Sequence, residues 1–228
     1  MVVLIGGFIV IGAVLLGFSM AGGHVEALIH LSEVVTIGGA TLGALVIMSP
    51  IGVLKDLIRG VIQSIKGSAY GKAACVDLFG LLFGVARVVR VEGVIALDGH
   101  ISDPKNSTLF KQHPKVANNP HASHFLCDSL ALIVDGPVEP AKLPGWLEEE
   151  IRVIEREHHA AVGALAKTAD SLPGFGIVAA VLGIVVTMQA IGGPVDEIGH
   201  KVGAALVGTF LGILMAYGFF APLAGRME

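Results

Sequence analysis

Four long apolar segments constrain this chain more than any other feature. Each is free of Asp, Glu, Lys, Arg and His, and they are Val2–Ala21, Val34–Leu54, Leu172–Pro194 and Val202–Leu223. A helix of roughly 20 apolar residues crosses a bilayer. Only 15% of the chain is charged, whereas about a quarter is usual for a soluble domain. The sequence therefore predicts an all-α polytopic membrane protein with four transmembrane helices.

The segments divide the chain into two helical hairpins with a polar insertion between them. We expect a transmembrane hairpin at 1–54, a cytoplasmic helical domain at 55–170 and a second hairpin at 171–228. Lys55, Arg59 and Lys66 follow the second span directly, and basic residues near span ends mark the cytoplasmic side. Both termini and the insertion are then cytoplasmic. The second span is expected to continue into the cytosol as one helix, because Ile51 to Ile65 repeat with helical period.

The spans are rich in glycine at helical spacing. Gly39 with Gly43 and Gly208 with Gly212 form small-xxx-small pairs, which allow helix backbones to approach closely. This pattern fits packing within the four-helix unit, and it also fits contact with other subunits.

The spans contain no acid or base that could carry an ion. Proteins that move ions usually hold an ionisable group at membrane depth. Here the polar groups inside the spans are mainly hydroxyls, at Thr36, Thr41, Thr187, Thr209 and Tyr217. If the chain conducts protons, the titrating group is expected from another polypeptide.

The same absence argues against other function classes. An intramembrane hydrolase needs a buried Ser/His, Asp pair or metal set, and a self-contained transporter needs intramembrane charge. We therefore expect no enzyme, no cofactor and no metal, since the adjacent His158 and His159 point to different helix faces. The net charge of −4 gives no reason to expect a nucleic-acid partner.

Two prolines stand at the cytosolic ends of the third and fourth spans. Pro173 is compatible with the first turn of a helix, with Asp170 or Ser171 as its cap. Pro222 is expected to end the last span. A hinge formed by both prolines is the alternative.

The motifs around these prolines resemble a known family. "DSLPGFGIVAAVLG" and "VGTFLGILMAYGFFAPLA" are similar to the third and fourth spans of the MotA family of flagellar motor stator subunits. The segment "ARVVRVEGVIALDGHISDP" and the four-span plan agree, so that the likeness covers essentially the whole chain. Members also carry a C-terminal cytosolic tail, which has no counterpart after Glu228.

This resemblance implies a function and partners. Members conduct ions in the bacterial inner membrane as five copies around two copies of MotB. MotB is a single-span, peptidoglycan-binding protein whose aspartate takes the proton. Ion flow produces torque on the rotor protein FliG.

The resemblance also implies roles for single residues. Pro173 and Pro222 match prolines that couple ion passage to movement, and Thr209 matches a hydroxyl on the ion path, with Tyr217 nearby. Ala180 stands where sodium-driven relatives carry threonine, which favours protons.

Charged residues of the insertion match contacts to the rotor. Arg90 and Glu150 match charges used against FliG, and Asp98 stands where the family usually has glutamate. From the residues alone, all three are as compatible with a solvated face. The alternatives are an ExbB or TolQ type of subunit, which typically has three spans, and a sodium-driven stator subunit.

Overall fold

The computed structural model of the chain describes residues 2–66, 71–136 and 141–228. In these ranges the secondary structure is helical throughout, without a strand. Contacts divide the chain into two compact units. We call residues 1–67 with 155–228 the membrane unit, and residues 68–154 the inserted unit.

The helices follow in a simple order. α1 spans Val2–Met20, α2 Leu31–Met48 and α3 Ile51–Lys66, with a 3₁₀ turn at Val25–Leu28 between the first two. The inserted unit contributes α4 Lys72–Glu92, the short helices α5 Asp98–Ile101, α6 Thr108–Lys111 and α7 Pro114–Ala117, and α8 Pro120–Val134. α9 Leu143–Gln189 and α10 Val195–Met215 follow, then a π-helical turn at Ala216–Phe220 and α11 Ala221–Met227.

Within the described residues, four helical stretches are long and apolar enough to cross a membrane, as the sequence predicted. They are Val2–Met20, Val25–Met48, Leu143–Gln189 and Val195–Met227. The fold class is therefore confirmed, although the second stretch begins earlier than expected and includes Glu26 and Glu33.

The second span does not continue into α3, contrary to the sequence-based expectation. Ser49 adopts an extended backbone (φ −126°, ψ 129°) between α2 and α3. Proline disfavours helical backbone in the residue before it, and Pro50 follows directly. The apolar period of Ile51 to Ile65 therefore belongs to a separate amphipathic helix.

Two clusters of buried side chains hold the membrane unit together. The first joins α3, α9 and α11 through Leu57, Leu165 and Met227, among others. The second joins α2, α9 and the π-helical turn through Ile37, Leu172, Ala179 and Ala216.

Polar contacts fasten α11 at the end of the membrane unit. His158 Nε2 donates to the carbonyl of Met227 at 2.7 Å, and Arg226 Nε donates to the carbonyl of Ser64 at 3.3 Å. The last helix is therefore tied to α9 and α3 by directional bonds in addition to apolar packing.

The inserted unit has its own core. Side chains from α4 to α8 meet there, with Leu81 and Phe110 fully buried. Ser107 and Asn119 cap α6 and α8 by accepting hydrogen bonds from the N–H groups of Phe110 and Ala122. Asn119 is followed by Pro120 in the first turn, a combination typical of helix starts.

α4 is only half buried, although its sequence from Cys75 to Val89 is apolar nearly all round. Leu81 and Val85 face the core of the inserted unit. On the opposite side, Val76, Phe79 and Phe83 are each at least 70% exposed in the single chain. An apolar composition all round a helix thus does not reveal which side packs within the chain.

Asp77 links α4 to the start of α7 and gives a test of the inserted unit. Its carboxylate accepts a hydrogen bond from the N–H of Lys115 at 2.8 Å and lies 3.1 Å from Nδ1 of His113. Burial alone would raise the pKa of Asp77, but the bonds from Lys115 and His113 outweigh it, and the pKa lies below its ordinary range. The lowered pKa means that this contact stabilises the fold above the unfolded pKa of about 3.9. The stabilisation is lost as the pH falls through the folded value.

Asp77→Ala is therefore expected to speed hydrogen exchange at the Lys115 amide, because that N–H loses its acceptor. Asp128→Ala, at an exposed position on α8, is the matched control. Acidification through the pKa of Asp77 should weaken protection of this amide in the wild type and not in Asp77→Ala. Equal exchange rates in the two variants at neutral pH would show that the bond does not hold α7 in place.

Candidate functional site

α9 and α10 cross at a row of glycines. A Cβ atom at Gly212 would lie 2.7 Å from the carbonyl oxygen of Leu172 and 2.8 Å from Cα of Gly176. A Cβ at Gly176 would lie 3.0 Å from the carbonyl oxygen of Gly208. The backbones thus approach closely, and any side chain here would force the helices apart.

The two predicted glycine pairs behave differently. Gly208 and Gly212 are buried at the crossing of α9 and α10, so this pair packs within the unit. Around Gly39 and Gly43, a Cβ would meet nothing within 4 Å. The α2 pair therefore faces open space in the single chain.

The crossing brings two of the predicted ion-path residues to one level. Ala180 lies in α9 with its backbone nitrogen 3.3 Å from the Cβ position of Gly208. Thr209 is the next residue of α10, and its carbonyl oxygen is 3.3 Å from the Cβ position of Gly176. Tyr217 follows eight residues later, about 12 Å along the axis, and is 63% exposed.

Pro173 lies inside α9, so its expected place at a helix start is wrong. α9 runs unbroken from Leu143 to Gln189, and neither Asp170 nor Ser171 caps a helix there. The Ser171 hydroxyl instead donates to the carbonyl of Thr168 at 2.9 Å. Proline has no N–H, and thus the carbonyl of Ala169 has no i+4 donor. The packing around Leu172, which is 1% exposed, keeps the helix continuous across this gap.

Pro222 does not end the last span either. It stands in the first turn of α11, directly after the π-helical turn Ala216–Phe220. In that turn the N–H of Ala221 donates to the carbonyl of Ala216, five residues back. Proline cannot donate to the carbonyl four residues before it and its ring clashes there, so a widened turn lets the helix pass.

A groove beside this turn has a volume of about 700 Å³. α1, the π-helical turn and α11 form its walls, and Tyr217, Pro222 and Arg226 are among its lining residues. Its surface is mostly apolar, which fits the hydrocarbon environment of a membrane span.

The three predicted rotor contacts all belong to the inserted unit. Arg90 is exposed in the last turn of α4, and Asp98 is exposed at the start of α5, where it accepts a hydrogen bond from Ser102 at 3.2 Å. Glu150 is half buried near the start of α9. None of them holds the buried core of the unit.

The structure adds Glu33, which the sequence reasoning missed. α2 begins at Leu31 and includes this residue in its first turn. Its side chain is 6% exposed, and Oε2 lies 2.7 Å from the Cβ position of Gly208. The expectation of spans without an ionisable group is therefore wrong. The signal was available, because Glu33, Ile37 and Thr41 share one face at helical spacing.

No candidate metal site is present within the described ranges, where no three His, Cys, Asp or Glu residues group together. Three histidines have hydrogen-bond partners of other kinds: His100 contacts Ser107, His113 contacts Asp77 and His158 contacts the carbonyl of Met227.

Comparisons with known proteins match this arrangement along the chain. Residues 4–93 match the sequence model "Motility protein A N-terminal", and residues 117–228 match the "MotA/TolQ/ExbB proton channel family". Motility protein A of Salmonella typhimurium is 38% identical over 98% of this chain and 76% of its own length. The chain belongs to the MotA/TolQ/ExbB proton channel family. This is a proton channel family and not an enzyme family.

Within the family the likeness is to motility proteins. Chemotaxis protein LafT of Vibrio parahaemolyticus is 40% identical over 92% of this chain and 74% of its own length. The fold also resembles that in the structure of MotAB from C. jejuni, with a TM-score of 0.72, 19% identity, and coverage of 99% of this chain and 80% of that chain. The flagellar MotAB stator complex from Bacillus subtilis gives a TM-score of 0.69 at 24% identity, over 98% of this chain and 80% of that chain.

Proposed function

We propose that the chain is the ion-conducting subunit of a bacterial flagellar motor stator. The observation that carries this is its 38% identity, over nearly its full length, to a Motility protein A. Residues 4–93 match the model of the Motility protein A N-terminal region, and this match favours a stator subunit over an ExbB or TolQ type of subunit. The four candidate spans support the same choice.

Proton flow would pass between α9, α10 and the single helix of a MotB partner. The partner's aspartate takes the proton at the level of Ala180 and Thr209, where the glycine crossing leaves the helices close together. One charge that crosses 100 mV releases about 2.3 kcal/mol. This is enough to repack a contact between helices.

Two local features support movement of these helices. α9 lacks a backbone hydrogen bond at Pro173, and the last span contains a π-helical turn before Pro222. Kinks and π turns are places where a helix can bend at low cost. A change of charge beside the crossing would then alter the bend at these points and move the inserted unit against the rotor protein FliG.

The surfaces that the single chain leaves open support assembly around the partner. A Cβ atom at Gly39 or Gly43 would meet no atom of the described residues within 4 Å, and α1 exposes large apolar side chains such as Phe8 and Ile9. We propose that five copies surround two MotB chains in the inner membrane, with both termini cytoplasmic. Lys55, Arg59 and Lys66, after the second span, support this orientation.

Arg90, Asp98 and Glu150 would contact FliG through charge. Arg90→Glu with Asp98→Lys is expected to stop swimming while protein level and membrane insertion stay normal, because both side chains are exposed and outside the core. Opposite charges placed on the rotor should restore movement. Loss of the folded chain in the double variant would instead assign both residues to stability.

Co-purification with a single-span, peptidoglycan-binding protein tests the proposed function. The tagged chain, extracted gently from its own membrane, should bring that partner with it. Recovery of the chain with metabolic enzymes and without such a partner would contradict a stator role.

A further inference from the structure

The inward face of α2 carries polar groups through the apolar interior of the membrane unit. Glu33, Ile37 and Thr41 lie at i, i+4 and i+8, and all three are buried. Ile37 packs in the cluster that contains Leu172 and Ala179 of α9. Glu33 and Thr41 are only 6% and 5% exposed. The face between these helices is thus not uniformly apolar.

Two atoms of this face have no hydrogen-bond partner in the described structure, Oε2 of Glu33 and Oγ1 of Thr41. Other span threonines behave differently: Thr36 and Thr187 donate to carbonyls of their own helices at 2.9 and 2.8 Å. Buried polar groups are normally paired, and an exception calls for an explanation, such as a catalytic role or a bound water molecule or ion. For a carboxylate the requirement is stronger, because an ionised group in an apolar site needs a companion charge or donor.

The carboxyl group of Glu33 reaches the crossing of α9 and α10. A Cβ atom at Gly208 would lie 2.7 Å from Oε2, 3.2 Å from Cβ of Ala179 and 3.3 Å from the nitrogen of Ala180. Gly208 therefore leaves the space that the carboxyl occupies. The carboxyl group thus lies near Ala180 and next to Gly208, the residue that precedes Thr209. This is the level assigned to the ion path.

Few charged groups lie on the surrounding elements. α1 and the stretch 172–189 of α9 contain no charge, and the polar neighbours of Glu33 are His30, directly before α2, and Ser32 in its first turn. The 3₁₀ turn before α2 contributes only Glu26, which is exposed. The charged and titratable groups of α10 are Asp196, Glu197, His200 and Lys201, all in its first two turns.

The nearest lysine on α10 is engaged elsewhere. Lys201 pairs with Glu197 at 2.8 Å and precedes Gly208 by seven residues, about 10 Å along the axis. A sodium ion would need several oxygen ligands. Of the three atoms nearest to the Gly208 Cβ position, Oε2 of Glu33 is the only oxygen, and the other two are Cβ of Ala179 and the backbone nitrogen of Ala180. A proton needs none of these ligands.

We propose that Glu33 is a proton carrier of the ion path, an acid that this chain supplies in addition to the partner's aspartate. The inference rests on the proposed stator function. The Glu33 carboxylate takes a proton from hydronium that enters at the periplasmic end of α2, which leaves water and a neutral carboxylic acid. The acid then gives that proton to a water molecule or to the partner's carboxylate and returns to its charged form. Each step moves one proton and changes no other bond.

Glu33→Gln tests this proposal, because the amide keeps the shape of the side chain and cannot carry the proton. The variant is produced together with the MotB partner in cells of a motile bacterium whose own stator proteins have been deleted. Swimming speed is then measured over a range of external pH at fixed proton-motive force. We expect normal co-purification with the partner and a speed reduced by roughly tenfold or more, since loss of a proton-transfer group is costly. Glu26→Gln, on the exposed 3₁₀ turn before α2, is the matched control and should swim as the wild type does.

Glu33→Asp supplies a second readout should the Gln variant fail to assemble. It keeps the acid but withdraws it by one methylene from Gly208, so that the dependence of speed on external pH should shift. Wild-type speed in Glu33→Gln, or an unchanged pH profile in assembled Glu33→Asp, would overturn the proposal. A defect in Glu33→Gln that appears only with sodium present would also overturn it. If the deletion cells do not swim when they carry the wild-type chain, the stator function itself is contradicted. If they swim, and cells that carry the variants swim equally well, only the role of Glu33 is contradicted.

Discussion

Gly212→Ala is expected to abolish swimming and to lower the thermal stability of the solubilised chain. The new Cβ would lie 2.7 Å from the carbonyl oxygen of Leu172 and 2.8 Å from Cα of Gly176. Both are backbone atoms, and thus no side-chain rotation relieves the contact and α10 must move away from α9. Overpacking of this kind costs typically about 1–3 kcal/mol, before any effect on the ion path.

Gly203→Ala is the matched control for this change. It lies on the same helix, and its Cβ would meet nothing within 4 Å. There alanine should stabilise the helix slightly, by about 0.5–1 kcal/mol. The measurement is the thermal unfolding midpoint of each purified variant together with swimming. Equal midpoints for the two variants would show that α9 and α10 do not meet as described.

Pro173→Ala is expected to leave an assembled and stable complex that produces little or no torque. Alanine supplies the N–H that the carbonyl of Ala169 lacks, and it is about 3 kcal/mol more favourable than proline inside a helix. The variant should thus stiffen α9 at the point where the proposed mechanism needs it to bend. Stability should be equal or higher while movement is lost, which separates this effect from that of Gly212→Ala.

Pro144→Ala provides the comparison, because Pro144 lies in the first turn of the same helix, where proline costs little. It should swim normally. Swimming speed and the amount of co-purified partner are the two readouts. Normal swimming in Pro173→Ala would show that the missing hydrogen bond plays no part in coupling.

The sequence predicted the four spans and a close approach of helix backbones at Gly208 and Gly212, because both depend on local patterns. The length of an apolar segment and the spacing of its small residues can be read from the sequence without knowledge of the tertiary structure. The all-helical fold and the family followed from the same segments, and the comparisons confirm them.

The errors at Pro173 and Pro222 have a common cause. Proline predicts a helix boundary because it removes one hydrogen bond from a helix interior. In the structure the packing of Leu172 and the widened turn at Ala216–Phe220 compensate for that loss. Ser49–Pro50 shows the opposite outcome, where the chain does break. Local propensity is the same in each case, and tertiary contacts decide.

Glu33 was missed for a different reason. Charged residues usually mark the ends of membrane spans, and the apolar pattern therefore places the start of the second span at Val34, after Glu33. A buried carboxyl in the first turn of α2 depends on the absence of a side chain at Gly208, far away in sequence. The short helices of the inserted unit pack around Phe110. Each has too few residues for a hydrophobic period to predict a helix from the sequence.

Swimming in sodium-free buffer at fixed proton-motive force tests the central claim, a proton-driven stator subunit, most directly. Cells without their own stator proteins receive this chain and its MotB partner together, and speed is recorded with and without added Na⁺. Ala180 offers no hydroxyl beside the crossing of α9 and α10, whereas a sodium ion needs several oxygen ligands. We predict equal speeds in the two buffers and no swimming when the chain is omitted. Motility that vanishes without Na⁺ and returns on its addition would contradict the claim.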